Sequence, residues 1–361
     1  MLDPIQLTRD LVDIQSTTYH EAPAGEFLAS YLAALGYTIQ RQPVDAPDPA
    51  TPGSGPEHGS MDPRFNVWAV PRELAQQGSS HPETPAIVFS THMDTVPPFL
   101  GPCREDATHL HGRGTCDAKG IIAAQIAAAE RLRSQGILVG LLFVVGEERD
   151  SAGAKVANQL VTTWPSRPRF LINGEPTDNR IAIASKGALR VELYAHGKAA
   201  HSAYPELGSS AIEKLLAALH DIQQLPLPIV EGIGDSTLNI GLIHGGRAPN
   251  VIADNAEAHL LIRLVDDGES TMAAIVAAAA NRCEVRFTLK LPFVQMRSFP
   301  GFDTMVAKFT TDIPALTHWG EPFLLGPGSI HVAHTPDEKI SKQELLDCVD
   351  LYVKLAVELT R

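Results

Sequence analysis

The sequence predicts a layered α/β domain interrupted by a smaller α+β insert. Short apolar runs alternate with helical patterns: AIVFS at 86–90, a helical stretch at 118–136, ILVGLLFVVG at 137–146 and RFLING at 169–174. Such alternation is the signature of a sheet with helices on its faces. The run at 137–146 is apolar throughout instead of alternating, as a central parallel strand covered on both sides must be. From about residue 186 the order changes to strand, helix, strand, strand, helix, strand, the split βαβ arrangement. The expected domains are therefore 1–185 with 293–361, and an insert at 186–292.

The elements follow in order. Amphipathic helical spacing is expected near 4–16 and 24–36, followed by a strand at 37–44. Residues 46–62 are rich in Pro, Gly and Ser and read as an exposed loop, as does QQGSSHPETP at 76–85. FNVWAV at 65–70 alternates like a strand, and AIVFS delivers THMDTVPP at its carboxyl end. The helix at 118–136 stops on a glycine. AGAKVANQLV is a further helix before the strand at 169–174. In the insert, RVELYAHG, TLNIGLIHGG, AEAHLLIRLV and EVRFTLKL are the strands, and SSAIEKLLAALHDIQQL and ESTMAAIVAAAANR the helices. EPFLLGPGS returns as one more strand of the larger domain, and SKQELLDCVDLYVKLAVELTR closes the chain as a helix.

Bulk properties narrow the function. The 361 residues allow more than one domain with its own core, and 44% hydrophobic content is ordinary for a globular chain. The longest apolar runs, at 138–145 and 273–280, fall short of the ~20 residues of a membrane span. A net charge of −13 with scattered basic residues argues against nucleic acid or an anionic membrane as partner. The opening MLDPIQLTRDLVDI has no basic leader, and Cys103, Cys116, Cys283 and Cys348 form no CxxC pair. Free thiols in a cytoplasmic protein are the expectation.

The chemistry sits at strand ends. His92, Asp94, Glu147, Glu148 and Glu175 all come just after the carboxyl ends of expected strands, where open α/β sheets bind ligands. Candidate metal ligands fall in four places: His92; Asp117 in the small-residue turn GTCDAKG; Glu147–Glu148 with Glu175; and the loop of His331 and His334. Nitrogen and carboxylate donors without thiolates suit zinc, cobalt or manganese in a hydrolytic site. Of two adjacent glutamates, one can bind metal while the other takes a proton from water. No GxGxxG or GxxxxGK[ST] follows a strand, which removes the nucleotide-binding alternative.

The segments STHMDTVPP, GRGTCDAKG, VVGEERDSAGA, NGEPT, GKAAHSAYPELGSSAI, LNIGLIHGGRAPNVI and GPGSIHVAHTPDE, in this order, resemble the M20 metallopeptidase family. That family includes acetylornithine deacetylase, succinyl-diaminopimelate desuccinylase and carboxypeptidase G2. The resemblance implies a phosphorylase/hydrolase-like layered catalytic domain with a ferredoxin-like insert acting as lid and dimerisation domain. It implies two divalent ions, zinc with cobalt or manganese as alternatives, and a homodimer. His92, Asp117, Glu148, Glu175 and His334 would be the ligands, with Asp117 bridging and followed by a cis peptide to Ala118. Glu147 would be the general base, and Asp94 would orient His92. His201 would stabilise the oxyanion, from the partner subunit in dimeric members, and Asn250 and Arg263 would contact the substrate carboxylate. His331, His109 and His111 are read as rim or structural residues. The tail and the run TLNIGLIHGG lean towards deacylation of an N-acyl amino acid, as in acetylornithine deacetylase. A desuccinylase, a short-peptide or carboxypeptidase, and a catalytically inactive binding protein are the alternatives. Every catalytic position is filled, which counts against the last.

Overall fold

The computed structural model describes residues 2–45, 63–74 and 84–361. The loop expected at 46–62, and all but the last two residues of the one expected at 76–85, lie outside the described residues. In chain order the main elements are α1 (Pro4–Val12), α2 (Ala22–Ala34), β1 (Tyr37–Val44), β2 (Arg64–Pro71), β3 (Ile87–His92), α3 (Lys119–Ser134), β4 (Val139–Val144), α4 (Ala152–Leu160), β5 (Phe170–Asn173), β6 (Gly187–His196), α5 (Ala211–Gln223), β7 (Thr237–Gly245), β8 (Asn255–Leu264), α6 (Glu269–Ala279), β9 (Glu284–Leu291), β10 (Glu321–Leu324) and α7 (Lys342–Thr360). The chain divides into two compact units. One comprises Met1–Ile183, Met296–Met305 and Thr311–Arg361, the other Ala184–Gln295 and Val306–Thr310.

The first unit is built on a six-stranded mixed sheet of order β1-β2-β4-β3-β5-β10. β1, β2 and β4 pair antiparallel, whereas β4–β3, β3–β5 and β5–β10 pair parallel. All six residues of β4 are buried. Their alternation is visible only as a division between two cores: Leu141 and Phe143 join the cluster of α1, α2, α3 and α7, and Leu142 and Val144 join a second cluster on the other face. That second cluster centres on Trp68, Trp164 and Trp319, with ring centroids 5.2–5.5 Å apart. Gly140 admits the Trp68 ring, since a Cβ there would come within 2.5 Å of Trp68 Cη2. α3 is buried nearly all round, as a helix enclosed by sheet and neighbouring helices must be.

Caps set the helix starts. The Asp3 side chain accepts from the N–H groups of Ile5 and Gln6, with Pro4 opening α1. Ser210 caps α5 through Glu213 N–H, and Ser341 caps α7 through Glu344 N–H. α1 ends at Val12, short of the 16 expected, because Asp13 already serves as its cap.

The second unit carries a four-stranded antiparallel sheet of order β7-β8-β6-β9. In β8 alternate residues from Ala256 to Leu264 are buried, and these pack with Leu189, Val191 and Leu193 of β6 against Leu215 and Leu219 of α5 and Ile275 of α6. This is the ferredoxin-like order. A hairpin at Ile229–Val230 and Gly234–Asp235, unforeseen in the sequence, precedes β7. Val306–Thr310 also groups here, although the sequence placed all of 293–361 in the larger domain. The reason is local: Lys186 N–H donates to Ala307 O, and Ser185 Oγ donates to Phe309 O. All four cysteines are free. Among the described residues, no helix is long and apolar enough to cross a membrane.

Candidate metal centre

Three parallel strands deliver the site. His92 ends β3, Glu147 and Glu148 follow β4, and Glu175 follows β5. The strand ends are tied together: Gly174 N–H donates to Ser90 O at 2.7 Å, and Thr91 Oγ1 donates to Gly174 O at 2.8 Å. Gly174 has no room for a side chain, as a Cβ would lie 2.3 Å from Ile121 Cγ2.

Asp117 stands between two groups of donors. His92 Nε2 lies 3.0 Å from its Oδ1, and His334 Nε2 lies 3.3 Å from its Oδ2. His334 Nε2 is also 3.0 Å from Glu148. Two triads result, His92–Asp117–Glu175 and Asp117–Glu148–His334, each with its ligand atoms within 4.8 Å of one another. Asp117–Ala118 is a cis peptide. His334 has φ +64°, a left-handed conformation unusual for a residue with a side chain. His331 belongs to neither triad.

His92 Nδ1 is 2.9 Å from the main-chain carbonyl of Asp94 and 3.6 Å from its carboxylate. A carbonyl oxygen can only accept, so Nδ1 carries a proton. The Asp94 carboxylate instead accepts from Glu147 N–H at 3.1 Å, Glu148 N–H at 3.3 Å and Thr18 Oγ1 at 2.8 Å. Asp94 thus orients the imidazole with its backbone and anchors the glutamate loop with its side chain.

The donor set fits cations. With Nδ1 protonated, neutral His92 turns a lone pair on Nε2 towards the Asp117 carboxylate, so a proton or a metal ion must lie between them. Burial opposes charge on His92, but the hydrogen bond to Asp117 and the nearby Asp94 carboxylate lift its pKa well above the ordinary imidazole value. Hydrogen bonds to Asp117 and Glu148 lift His334 to about 10. Burial works against the Asp117 charge, yet His334 and His92 hold its carboxyl below the usual range. Burial pushes Glu147 well above that range, with the charge of Glu175 adding to it. Burial does the same to Glu175, against the attraction of His92. Glu175 Oε1 is buried without a hydrogen-bond partner. Surplus negative charge and an orphaned oxygen are what a divalent ion would neutralise. The nitrogen and oxygen donors fit zinc, cobalt or manganese.

The other candidates lie in the second unit. His201 and Asn250 sit on adjacent strands of chain: Ser202 N–H donates to Asn250 O, and His201 bridges to Val251. His201 Nδ1 accepts from Ala203 N–H at 3.1 Å, so the neutral ring carries its proton on Nε2. A cavity of about 910 Å³ opens beside them, lined by Ser202, Ser210, Lys214, Arg247 and Val251. Arg263 is the ninth residue of β8 and pairs with Thr237 and Ala188. That sets it about 27 Å along the strand from the Asn255 end, where the 246–254 loop joins. Arg263 is thereby separated from His201 and Asn250. His109 and His111 border Asp106, with His111 Nε2 2.8 Å from its carboxylate, and belong to neither triad.

Three contributors escaped the sequence analysis. Thr18 has no motif around it. Asp312 is a buried carboxylate whose charge acts on Glu147 and Glu175. Glu338 ends the segment GPGSIHVAHTPDE, so its position was marked although its role was not.

Comparison with known proteins agrees with this architecture. The peptidase dimerisation domain of the M20 family matches residues 183–286. A peptidase M20 domain-containing protein of Schizosaccharomyces pombe is 37% identical over 361 residues, covering 98% of this chain and 84% of its own. A probable carboxypeptidase of Aspergillus fumigatus is 38% identical over 386 residues, covering 96% and 84%. Among solved structures, aminopeptidase PepT of Bacillus cereus superposes with a TM-score of 0.76 at 21% identity, over 99% of this chain and 98% of that one. A dinuclear metal binding peptidase of Bacillus subtilis does so at 0.69 and 16%, over 99% and 97%. With a relative 37% identical matched over 98% of this chain, the chain belongs to the M20 peptidase family.

Proposed function

We propose that the chain is a two-metal peptidase that hydrolyses the amide bond joining a terminal amino acid to a short peptide, as a carboxypeptidase or dipeptidase. One observation carries this: Asp117 is shared by two ligand triads, while Glu147 stands beside them and belongs to neither. The relatives named carboxypeptidase move the reading away from the acetylornithine deacetylase favoured by the tail of the sequence. Deacylation of an N-acyl amino acid remains the second reading, on the segment GPGSIHVAHTPDE. Chemically the two are close, since both cleave an acyl–nitrogen bond next to a free carboxylate.

His92, Asp117 and Glu175 would hold one ion, and Asp117, Glu148 and His334 the other. Bound there, two divalent cations would supply Lewis-acid charge that acidifies water and polarises a carbonyl. Glu147 takes the proton of the attacking water and returns it to the leaving amine. Asp94 fixes that base by holding the N–H groups of Glu147 and Glu148. His201 offers Nε2–H as an oxyanion donor, and Asn250 beside it is the candidate for the substrate carboxylate; Arg263, at the far end of β8, does not join them.

A homodimer accords with the dimerisation-domain match. Among the described residues β7 has a sheet neighbour on one side only, and its Leu242 and Ile243 are half exposed.

The test is hydrolysis by metal-loaded protein of dipeptides, tripeptides, N-acetyl and N-succinyl amino acids, with Glu147→Ala as control and molar mass from light scattering. Cleavage of peptides by the parent, at least about 10²-fold faster than by Glu147→Ala, is expected. Equal rates in the two would sink the base assignment. Turnover of N-acyl amino acids alone would select the second reading.

A further inference from the structure

We propose that Glu338 is a positioning residue that holds the segments carrying Asp117 and His334 in one geometry, through its carboxylate on the 112–117 turn. The inference rests on the two-triad reading of the site.

Glu338 is 1% exposed, four residues beyond His334. A carboxylate buried so deeply must be paired and hydrogen-bonded. Its Oε2 meets Arg113 Nη1, itself buried, at 2.5 Å. Its Oε1 accepts from three backbone N–H groups: Gly114 at 2.8 Å, Cys116 at 3.3 Å and Asp117 at 3.3 Å. Cys116 Sγ lies 3.7 Å from the same oxygen. The backbones add a strut, with Gly112 N–H donating to Glu338 O at 3.0 Å. Arg113 also donates to Thr335 O at 3.2 Å, next to His334.

All these contacts join residues 112–117 to residues 335–338, so one side chain ties the turn of Asp117 to the loop of His334. The turn is a tight one, left-handed at Gly114 with φ +89°, and a Cβ there would meet Lys119 at 2.9 Å. His92 and Glu175 are held differently, by the ends of β3 and β5. Loss of the Glu338 charge should therefore weaken the Asp117–Glu148–His334 triad more than the His92–Asp117–Glu175 triad.

The experiment titrates metal-free wild type, Glu338→Gln and Arg113→Lys with Co(II) alone. Site affinities are read by calorimetry, geometry by the visible absorption of bound cobalt, and the fold by thermal unfolding without metal. Two cobalt ions are expected in wild type. In Glu338→Gln the Asp117–Glu148–His334 site should lose about 10–100-fold in affinity, more than the other site and with an altered spectrum, and Arg113→Lys should lose less. Because Glu338 acts through Asp117, its effect should shrink in an Asp117→Asn background. Unchanged cobalt affinities and spectra in folded Glu338→Gln would overturn the proposal. So would failure of both variants to fold with or without cobalt, since the role would then be stability alone. Wild type that binds no cobalt would instead remove the two-triad reading, and this inference with it.

Discussion

His92 shows how much one residue's partners decide. Its Nδ1 donates to a carbonyl that cannot donate back, so Nε2 must face Asp117 either protonated or bound to a cation. Asp94, two residues on, spends its carboxylate on the loop of Glu147 and Glu148 instead. The family resemblance paired His92 with Asp94 but did not say which oxygen did which task, because that depends on where β4 ends. His331 and His334 pose the same problem in sharper form, being three apart in one loop with identical chemistry. Only His334 turns its ring to Asp117 and Glu148. His334→Ala should therefore lower bound metal from two ions to one, whereas His331→Ala should leave two. Metal counted by emission spectroscopy on dialysed protein decides it, and loss of metal in His331→Ala would reverse the assignment.

At the scale of elements, the parallel strands bring distant ligands together. β4 read as a central strand because it lacks alternation, and both of its faces are indeed covered. The aromatic cluster under it was not legible, since Trp68, Trp164 and Trp319 come from three remote segments. Gly140 is the residue that makes their packing feasible. Gly140→Ala would place a methyl group 2.5 Å from the Trp68 ring and 2.8 Å from Pro85. Overpacking of this kind should cost about 1–3 kcal/mol, read as a lower denaturant midpoint at unchanged slope. A midpoint equal to wild type would show that the ring moves aside freely. The loop between β4 and α4 was legible as a site because two glutamates follow so apolar a strand. Thr18 and Asp312 were not, as each is an ordinary polar residue in a loop until the fold closes over it.

For the whole molecule, the buried charges make stability depend on pH and metal together. Burial raises Glu21 to about 7, with the charge of Asp94 adding and Arg64 opposing. Burial likewise raises Asp312 to about 6. A carboxyl with a raised folded pKa holds its proton more tightly in the native state, so its contribution is fully present below the unfolded value near 4 and is lost as pH rises through 6–7. His334, lifted to about 10, acts in the same direction over a higher window. The metal-free protein should therefore lose stability steadily from pH 5 to pH 8. Added zinc should raise the melting temperature more at pH 8 than at pH 5.5, because ligands must be deprotonated to bind it. Equal shifts at both values would contradict this account.

The sequence by itself determined the layered α/β class, the split βαβ insert and the family, because hydrophobic periodicity and ordered motifs are local properties of the chain. It marked His92, Asp117, Glu147, Glu148 and Glu175, since strand ends and a small-residue turn announce themselves in the order of residues, whereas His334 was preferred over His331 by the family resemblance alone. Only the tertiary structure decided that Asp117 is common to two triads, that Glu338 reaches back from the other end of the chain to hold its turn, and that Arg263 lies far along β8 from Asn250. Those facts are distances between remote segments, fixed by strand pairing and helix packing, and no local pattern of residue types encodes them.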